Sequence, residues 1–276
     1  MRRIPTMVKH HEPRVIRGAV ALAGVVAATV AVGCGDGGNG GHAADREGDV
    51  SGEITVSAAS SLTGAFTDLS AQFEADHPEV EVRLNFGSSS SLATQVLDGA
   101  PVDVFAAADE SNMARLAQGD LLSGKAEAAA RNELIIVTKP GNPEGITEVG
   151  DLADAGVVSL CAADAPCGRY AAEVLDSAGV SLADAQVTRG QNAKATLAAV
   201  RDGDAAAGVV YVTDARAAGG AVGTVAISDR HNVVATVPIA RLDASPNPAA
   251  ADAFVAFVLG PAGTTTLAAA GFLPPP

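Results

Sequence analysis

The sequence predicts an α/β fold with largely parallel sheets, and two observations carry that prediction. From about residue 52 to the end of the chain, short apolar runs alternate with stretches whose apolar residues recur at helical spacing. The same body is long enough to bury a sizeable core, as one large domain or two small ones.

Ile54-Thr55-Val56 is a first strand. Leu62, Ala65, Phe66, Leu69 and Phe73 then form one apolar helical face. Val80, Val82, Leu84 and Phe86 alternate with Glu81, Arg83 and Asn85, a period of two that marks a strand. Leu92 to Leu97 is the next helix, and Val102-Asp103-Val104-Phe105 the next strand. Asp109 is placed to cap a helix carrying Met113 and Leu116. Leu134-Ile135-Ile136-Val137 is apolar throughout, which predicts a strand buried on both faces. Val157 to Leu160 is a strand, followed by a helix from about Gly168 through Tyr170, Val174 and Leu175. Residues 192–200 read as helix; 209–212, 225–227 and 233–237 read as strands. Two helices, about 249–259 and 263–270, complete the pattern. There is no internal repeat, and the pattern alone sets no domain boundary.

Ahead of this body, Arg2, Arg3, Lys9, Arg14 and Arg17 stand against the single acid Glu12, and an uncharged apolar run follows from Gly18 to Gly33. A basic segment, an apolar segment and a small-residue junction describe a secretory signal over residues 1–33. The run is shorter than the roughly 20 residues that span a bilayer; a retained anchor helix is the alternative. Ala31-Val32-Gly33-Cys34 resembles the lipobox of bacterial lipoproteins, where cleavage leaves the cysteine as the lipidated first residue, here Cys34. An ordinary signal with an incidental cysteine is the alternative. Gly35-Asp36-Gly37-Gly38-Asn39-Gly40-Gly41 offers no side chains to pack, so residues 34–51 read as a lipid-anchored flexible tether.

Removing the signal's five cations and one acid from the whole-chain 18 and 32 leaves 13 and 31, a formal −18. Such a surface speaks against nucleic acid and anionic membrane faces as partners, and at first sight against an anionic ligand. In an exported chain the two cysteines that remain, Cys161 and Cys167, are expected to form a disulfide; two reduced thiols are the alternative.

Enzyme chemistry finds little support. His10 and His11 fall in the signal, His42 in the tether, and His77 and His231 in loops. There is no metal-ligand spacing, no GxSxG elbow, no phosphate-binding loop and no GxGxxG after a strand, and a serine nucleophile has no evident base. Two serine-rich junctions stand out instead: Ala58-Ala59-Ser60-Ser61-Leu62-Thr63 and Phe86-Gly87-Ser88-Ser89-Ser90-Ser91-Leu92. Each joins a strand to the helix after it. In parallel α/β sheets ligands bind beyond the carboxyl ends of strands. Helix N-termini there present unpaired N–H groups and partial positive charge, and serine adds a hydroxyl donor. One serine would be a helix cap and nothing more. Two clusters, each longer than a cap requires, suit an oxyanion or another small ligand, with capping alone as the alternative.

At these junctions the chain resembles the periplasmic molybdate-binding proteins of ABC importers. Residues 54–63 and Asn85-Phe86-Gly87-Ser88-Ser89-Ser90-Ser91-Leu92-Ala93 carry the likeness, with Gly99-Ala100-Pro101-Val102-Asp103-Val104-Phe105, Gly208-Val209-Val210-Tyr211-Val212-Thr213-Asp214-Ala215 and Ala270-Gly271-Phe272. The similarity runs in order over 53–273. It implies a type II periplasmic-binding-protein fold, in which two α/β lobes, 52–133 plus 238–276 and 134–237, close on a ligand around a hinge. It further implies an extracytoplasmic monomer that captures molybdate or tungstate, uses no cofactor and serves a membrane permease; with the lipobox at Cys34, the protein is expected to be lipid-anchored to the cell membrane.

Carried across by motif, the oxyanion contacts fall on Ser61 and Ser89 from the first lobe and on Cys167, Ala193 and Tyr211 from the second. Ser61, Ser89 and Tyr211 match in residue type. Cys167 and Ala193 match by position, where the family uses a backbone N–H. Molybdate at neutral pH is a full dianion with no proton to donate, so neutral dipoles in a closed site suffice, and the acidic surface is no obstacle. A Cys161–Cys167 bridge would fix the loop that presents the Cys167 N–H; a role in stability alone is the alternative. Arg169 and Lys194, next to two of the contacts, are expected to point to solvent. The competing readings are a receptor for another oxyanion such as sulfate, an exported enzyme on the same fold, and a regulatory ligand domain.

Overall fold

The computed structural model describes residues 50–276. The signal, Cys34 and the tether as far as residue 49 lie outside the described residues. Strands and helices alternate as expected. The chain begins β1 (Gly52–Ala59), α1 (Thr63–Asp76), β2 (Val80–Gly87), α2 (Ser89–Leu97), β3 (Val104–Ala106), α3 (Glu110–Gln118) and β4 (Glu127–Thr138). It continues β5 (Val158–Cys161), α4 (Pro166–Ser177), β6 (Val187–Gly190), α5 (Ala193–Arg201), β7 (Ala207–Tyr211), α6 (Val212–Ala218) and β8 (Gly223–Ala226). It closes with β9 (Val234–Arg241), α7 (Pro248–Leu259) and α8 (Pro261–Ala270).

The strands form a single sheet in the order β2-β1-β3-β9-β4-β7-β5-β6, with β8 also paired to β4. It is mixed, not largely parallel. β1 runs parallel to β2 and β3, and β5 parallel to β6 and β7. Between these two parallel sets lie β9, antiparallel to β3 and β4, and β4, antiparallel also to β7 and β8. Parallel pairing needs a crossover helix, which the strand–helix–strand runs at each end supply. The two connecting strands enter from the opposite side, and hydropathy does not encode strand direction.

β4 is the element that joins the two parallel sets. Its residues 127–133 pair with β9, and its residues 134–138 pair with β7 and β8. Leu134, Ile136 and Val137 are buried and Ile135 is half-buried, which fits a strand covered on both faces. The core is continuous through this junction. Ile54, Val56 and Phe66 belong to the same buried cluster as Ile136, Val158 and Val209. At the β1 end, Phe254 of α7 meets Phe66 and Phe73 of α1 edge-on, with ring centroids 6.3 and 5.3 Å apart. This seats the C-terminal helices on the first parallel set.

Candidate functional site

The carboxyl ends of the parallel strands converge on one small cavity. Ala59 ends β1 and Ser60 and Ser61 follow it, Gly87 to Ser89 join β2 to α2, and Ala108 follows β3. Facing them are Pro166 and Cys167 at the start of α4, Asn192 and Ala193 at the start of α5, and Tyr211 at the end of β7. The cavity is small, with a volume of about 10 Å3. All five residues singled out from the sequence, Ser61, Ser89, Cys167, Ala193 and Tyr211, line it. A larger groove of about 680 Å3 lies between α1, α6 and α8, but its lining of Gln72, Ala217 and Ala269 brings no set of buried donors together.

The lining is rich in unspent donors. Ser89 is buried, and its Oγ accepts the Ala108 N–H at 2.9 Å, so its own proton is left to donate elsewhere. The Ser61 hydroxyl meets no partner among the described residues. The Tyr211 hydroxyl is buried with no hydrogen-bond partner among the described residues. Burial, then the nearby Tyr170, Asp109 and Asp214, push its pKa well above the usual phenol value, so it remains an O–H donor at neutral pH.

Cys167 and Ala193 sit in the first turns of α4 and α5, where backbone N–H groups have no intrahelical acceptor. Neither N–H finds an acceptor among the described residues. The Asn192 side chain caps α5 through the Ala195 N–H at 3.0 Å, which leaves the Ala193 N–H free. The dipoles of α2, α4 and α5 bring their positive ends to the same place. No carboxylate lines the cavity.

Covalent and steric constraints hold the two backbone donors. A Cys161–Cys167 disulfide, with Cα atoms 5.7 Å apart, ties the end of β5 to the first turn of α4. A Cβ on Gly168 would lie 2.0 Å from the Ala162 carbonyl oxygen, so only glycine lets α4 start this close to that loop. Likewise a Cβ on Gly190 would lie 2.5 Å from the Thr196 nitrogen, where α5 packs on β6.

Two carboxyls near the site escaped the sequence analysis. Asp109, read there only as a helix cap, does accept the Asn112 N–H, and it is also paired with Arg169. Arg169 therefore does not point to solvent, because a buried carboxylate needs a cation or several donors to stay charged. Lys194 is exposed, as expected. Asp214, in the first turn of α6, is buried and its Oδ2 has no hydrogen-bond partner among the described residues. Burial pushes its pKa up to about 7, opposed by a hydrogen bond from the Tyr211 backbone and by the charge of Lys194. Its place in the stretch Gly208 to Ala215, three residues after Tyr211, was the one available signal.

A family model for bacterial extracellular solute-binding proteins matches residues 54–273. The molybdate-binding protein ModA of Mycobacterium tuberculosis (strain ATCC 25618 / H37Rv) is 39% identical over 223 residues, covering 80% of this chain and 85% of that protein. Among solved structures, the periplasmic molybdate-binding protein of Azotobacter vinelandii aligns with a TM-score of 0.73 at 22% identity, covering 81% of this chain and 100% of that one. The sulfate-binding protein SubI from Mycobacterium tuberculosis H37Rv aligns with a TM-score of 0.71 at 21% identity, covering 80% and 86%. At such identities the two superpositions establish the fold, and a fold does not choose between anions.

Proposed function

Because the chain belongs to the bacterial extracellular solute-binding proteins, we propose that its cavity captures molybdate, or the isostructural tungstate, and delivers it to the membrane permease of an ABC importer. The observation that carries this reading is the buried Tyr211 hydroxyl with no partner among the described residues. A buried donor left unmade costs about 1–3 kcal/mol, which a bound oxyanion would recover. Around it stand the hydroxyls of Ser61 and Ser89 and the N–H groups of Cys167 and Ala193. Five neutral donors without a lining carboxylate suit a tetrahedral dianion that has no proton to give. Protonated phosphate would want an acceptor there. The 39% identity to a molybdate-binding protein favours that cargo over sulfate.

In this reading residues 52–133 plus 238–276 and residues 134–237 act as two lobes. They close on the anion, with β4 and β9 as the connecting segments. On the same reading the protein acts as a receptor, which its membership of the extracellular solute-binding proteins supports. Residues 1–33 serve as the export signal, Cys34 carries the lipid, and residues 34–51 give the monomer reach from the outer face of the membrane.

Calorimetric titration of residues 35–276 with molybdate, tungstate, sulfate and phosphate tests the proposal. Saturable one-to-one binding of molybdate and tungstate, with the other two silent, is expected. Preference for sulfate would change the cargo and keep the site. No heat from folded, ligand-stripped protein with any of the four would overturn the oxyanion assignment.

A further inference from the structure

We propose that Asp109 and Arg169 form a clasp across the mouth of the cavity, and that this clasp sets how long the captured anion stays bound. The inference rests on the two-lobe capture reading above and names the residues that hold the closed state.

The two partners come from opposite sides of the site. Asp109 follows the cavity-lining Ala108 and caps α3, whereas Arg169 lies in the first turns of α4, just beyond Cys167. The Arg169 guanidinium donates to Asp109 Oδ2, to Ser111 Oγ at 2.8 Å and to the Asp164 carbonyl at 2.6 Å. A second bond runs parallel to this pair: Ser90 Oγ donates to Asp164 Oδ2 at 3.2 Å. Thus Ser90, Asp109 and Ser111 on one side meet Asp164 and Arg169 on the other.

The two jaws are unequal. Asp109 is 1% exposed, and its carboxylate is already held by Ser111 Oγ at 2.6 Å and Asn112 Nδ2 at 2.8 Å, both from its own helix. These bonds come from within one side of the site, so they do not depend on Arg169. Asp164 sits in the loop that the Cys161–Cys167 disulfide closes, so the opposing jaw is stiffened covalently. What closure adds is the cation. A carboxylate that is solvated in an open cleft loses water on closing, and Arg169 replaces that water. The pair is also neutral, so Asp109 does not set an unbalanced negative field beside a dianion.

This predicts a separation of rate constants. Asp109→Asn keeps the size and the helix cap but breaks the ion pair and leaves Arg169 as a free cation. Anion release should speed up on the order of tenfold or more, because truncating a buried charge pair acts on dissociation, while capture stays equal or becomes faster. Arg169→Gln also breaks the pair but leaves Asp109 unneutralised, so release should speed up and capture should slow, most visibly at low salt. The double variant should release no faster than the faster single, as two halves of one interaction are not additive.

The test is a chase of radiolabelled molybdate from the mature protein by excess unlabelled anion, with capture followed by rapid mixing. Faster release in both single variants, with capture moving in opposite directions, supports the clasp. Wild-type release rates in both overturn it, even though the anion still binds. If Asp109→Asn does not fold, Arg169→Gln, which alters a part-exposed side chain, and Ser90→Ala decide in its place. A wild-type protein that binds none of the four oxyanions overturns the capture reading, and the clasp with it.

Discussion

The two sides of the cavity present hydrogen-bond donors of different chemistry. The side built by β1, β2 and β3 uses side chains: the hydroxyls of Ser61 and Ser89 reach in from serine-rich junctions. The side built by β5, β6 and β7 relies more on backbone, with the Cys167 and Ala193 N–H groups beside the Tyr211 hydroxyl. A side-chain donor can be removed by one substitution. A backbone donor can only be displaced, so its security lies in whatever fixes the chain. On the second side that is a disulfide and two glycines packed against main-chain atoms. The lesson is that one site can be fragile to mutation on one face and fragile to geometry on the other.

The largest contrast should appear in pH dependence. On the first side, buried Asp103 is satisfied by the Thr55 N–H at 2.7 Å and by Ser245 Oγ. On the second, Asp214 Oδ2 has no hydrogen-bond partner among the described residues, and its pKa is raised to about 7. Between the ordinary carboxyl value and about 7 the folded protein holds a proton there that the unfolded chain has released. Stability should therefore fall as pH rises through that window, by up to about 4 kcal/mol from this group. Melting curves of wild type and Asp214→Asn from pH 4 to 8 should diverge as pH rises, with the variant less sensitive. Parallel curves would show that Asp214 ionises normally.

Next comes Gly168→Ala. The added methyl meets the Ala162 carbonyl, so α4 must shift, costing about 1–3 kcal/mol of stability. Molybdate affinity should drop as well, because the Cys167 N–H moves with the helix. A loss of melting temperature with unchanged affinity would contradict the claim that this glycine aims the donor. Ser89→Ala should weaken binding by about 1–3 kcal/mol, since it removes one donor and also strands the Ala108 N–H. Ser61→Ala removes a half-buried donor and strands nothing, so calorimetry should give a smaller loss, about 0.5–1.5 kcal/mol. Equal losses for the two serines would refute that difference in burial and partners. Smallest is the double change Cys161→Ser, Cys167→Ser, expected to weaken binding a few-fold by loosening the loop. Affinity identical to wild type would mean that the bridge serves stability alone.

The asymmetry between the sides also explains what could be read from the chain in advance. Alternating and helical hydropathy located the helix at Leu62–Phe73 and the strand at Val80–Phe86, because each buries a regular face. The stretch Glu127–Glu133 showed no such signal. It consists of alanines and polar or charged residues, and it becomes strand because β9 pairs with it. The serine junctions were visible because their donors are side chains. Ala193 left no trace of its own, since its contribution is an N–H that every non-proline residue carries, and only resemblance pointed to it. Arg169 was misjudged because its partner, Asp109, lies 60 positions away and is brought to it by tertiary packing.

Consider finally the place where β4 passes from one set of strands to the other. Glu133 pairs with β9 and Leu134 with β7, so the ladder changes partners within one peptide unit. Side-chain amides take over there. Asn232 receives the Leu134 N–H at 3.2 Å and donates to its carbonyl at 2.9 Å, while Asn132 donates to Thr213 at 2.9 Å. A polypeptide twisted about this point would trade amide contacts and leave each ladder whole, as a door turns on a pin that neither leaf releases.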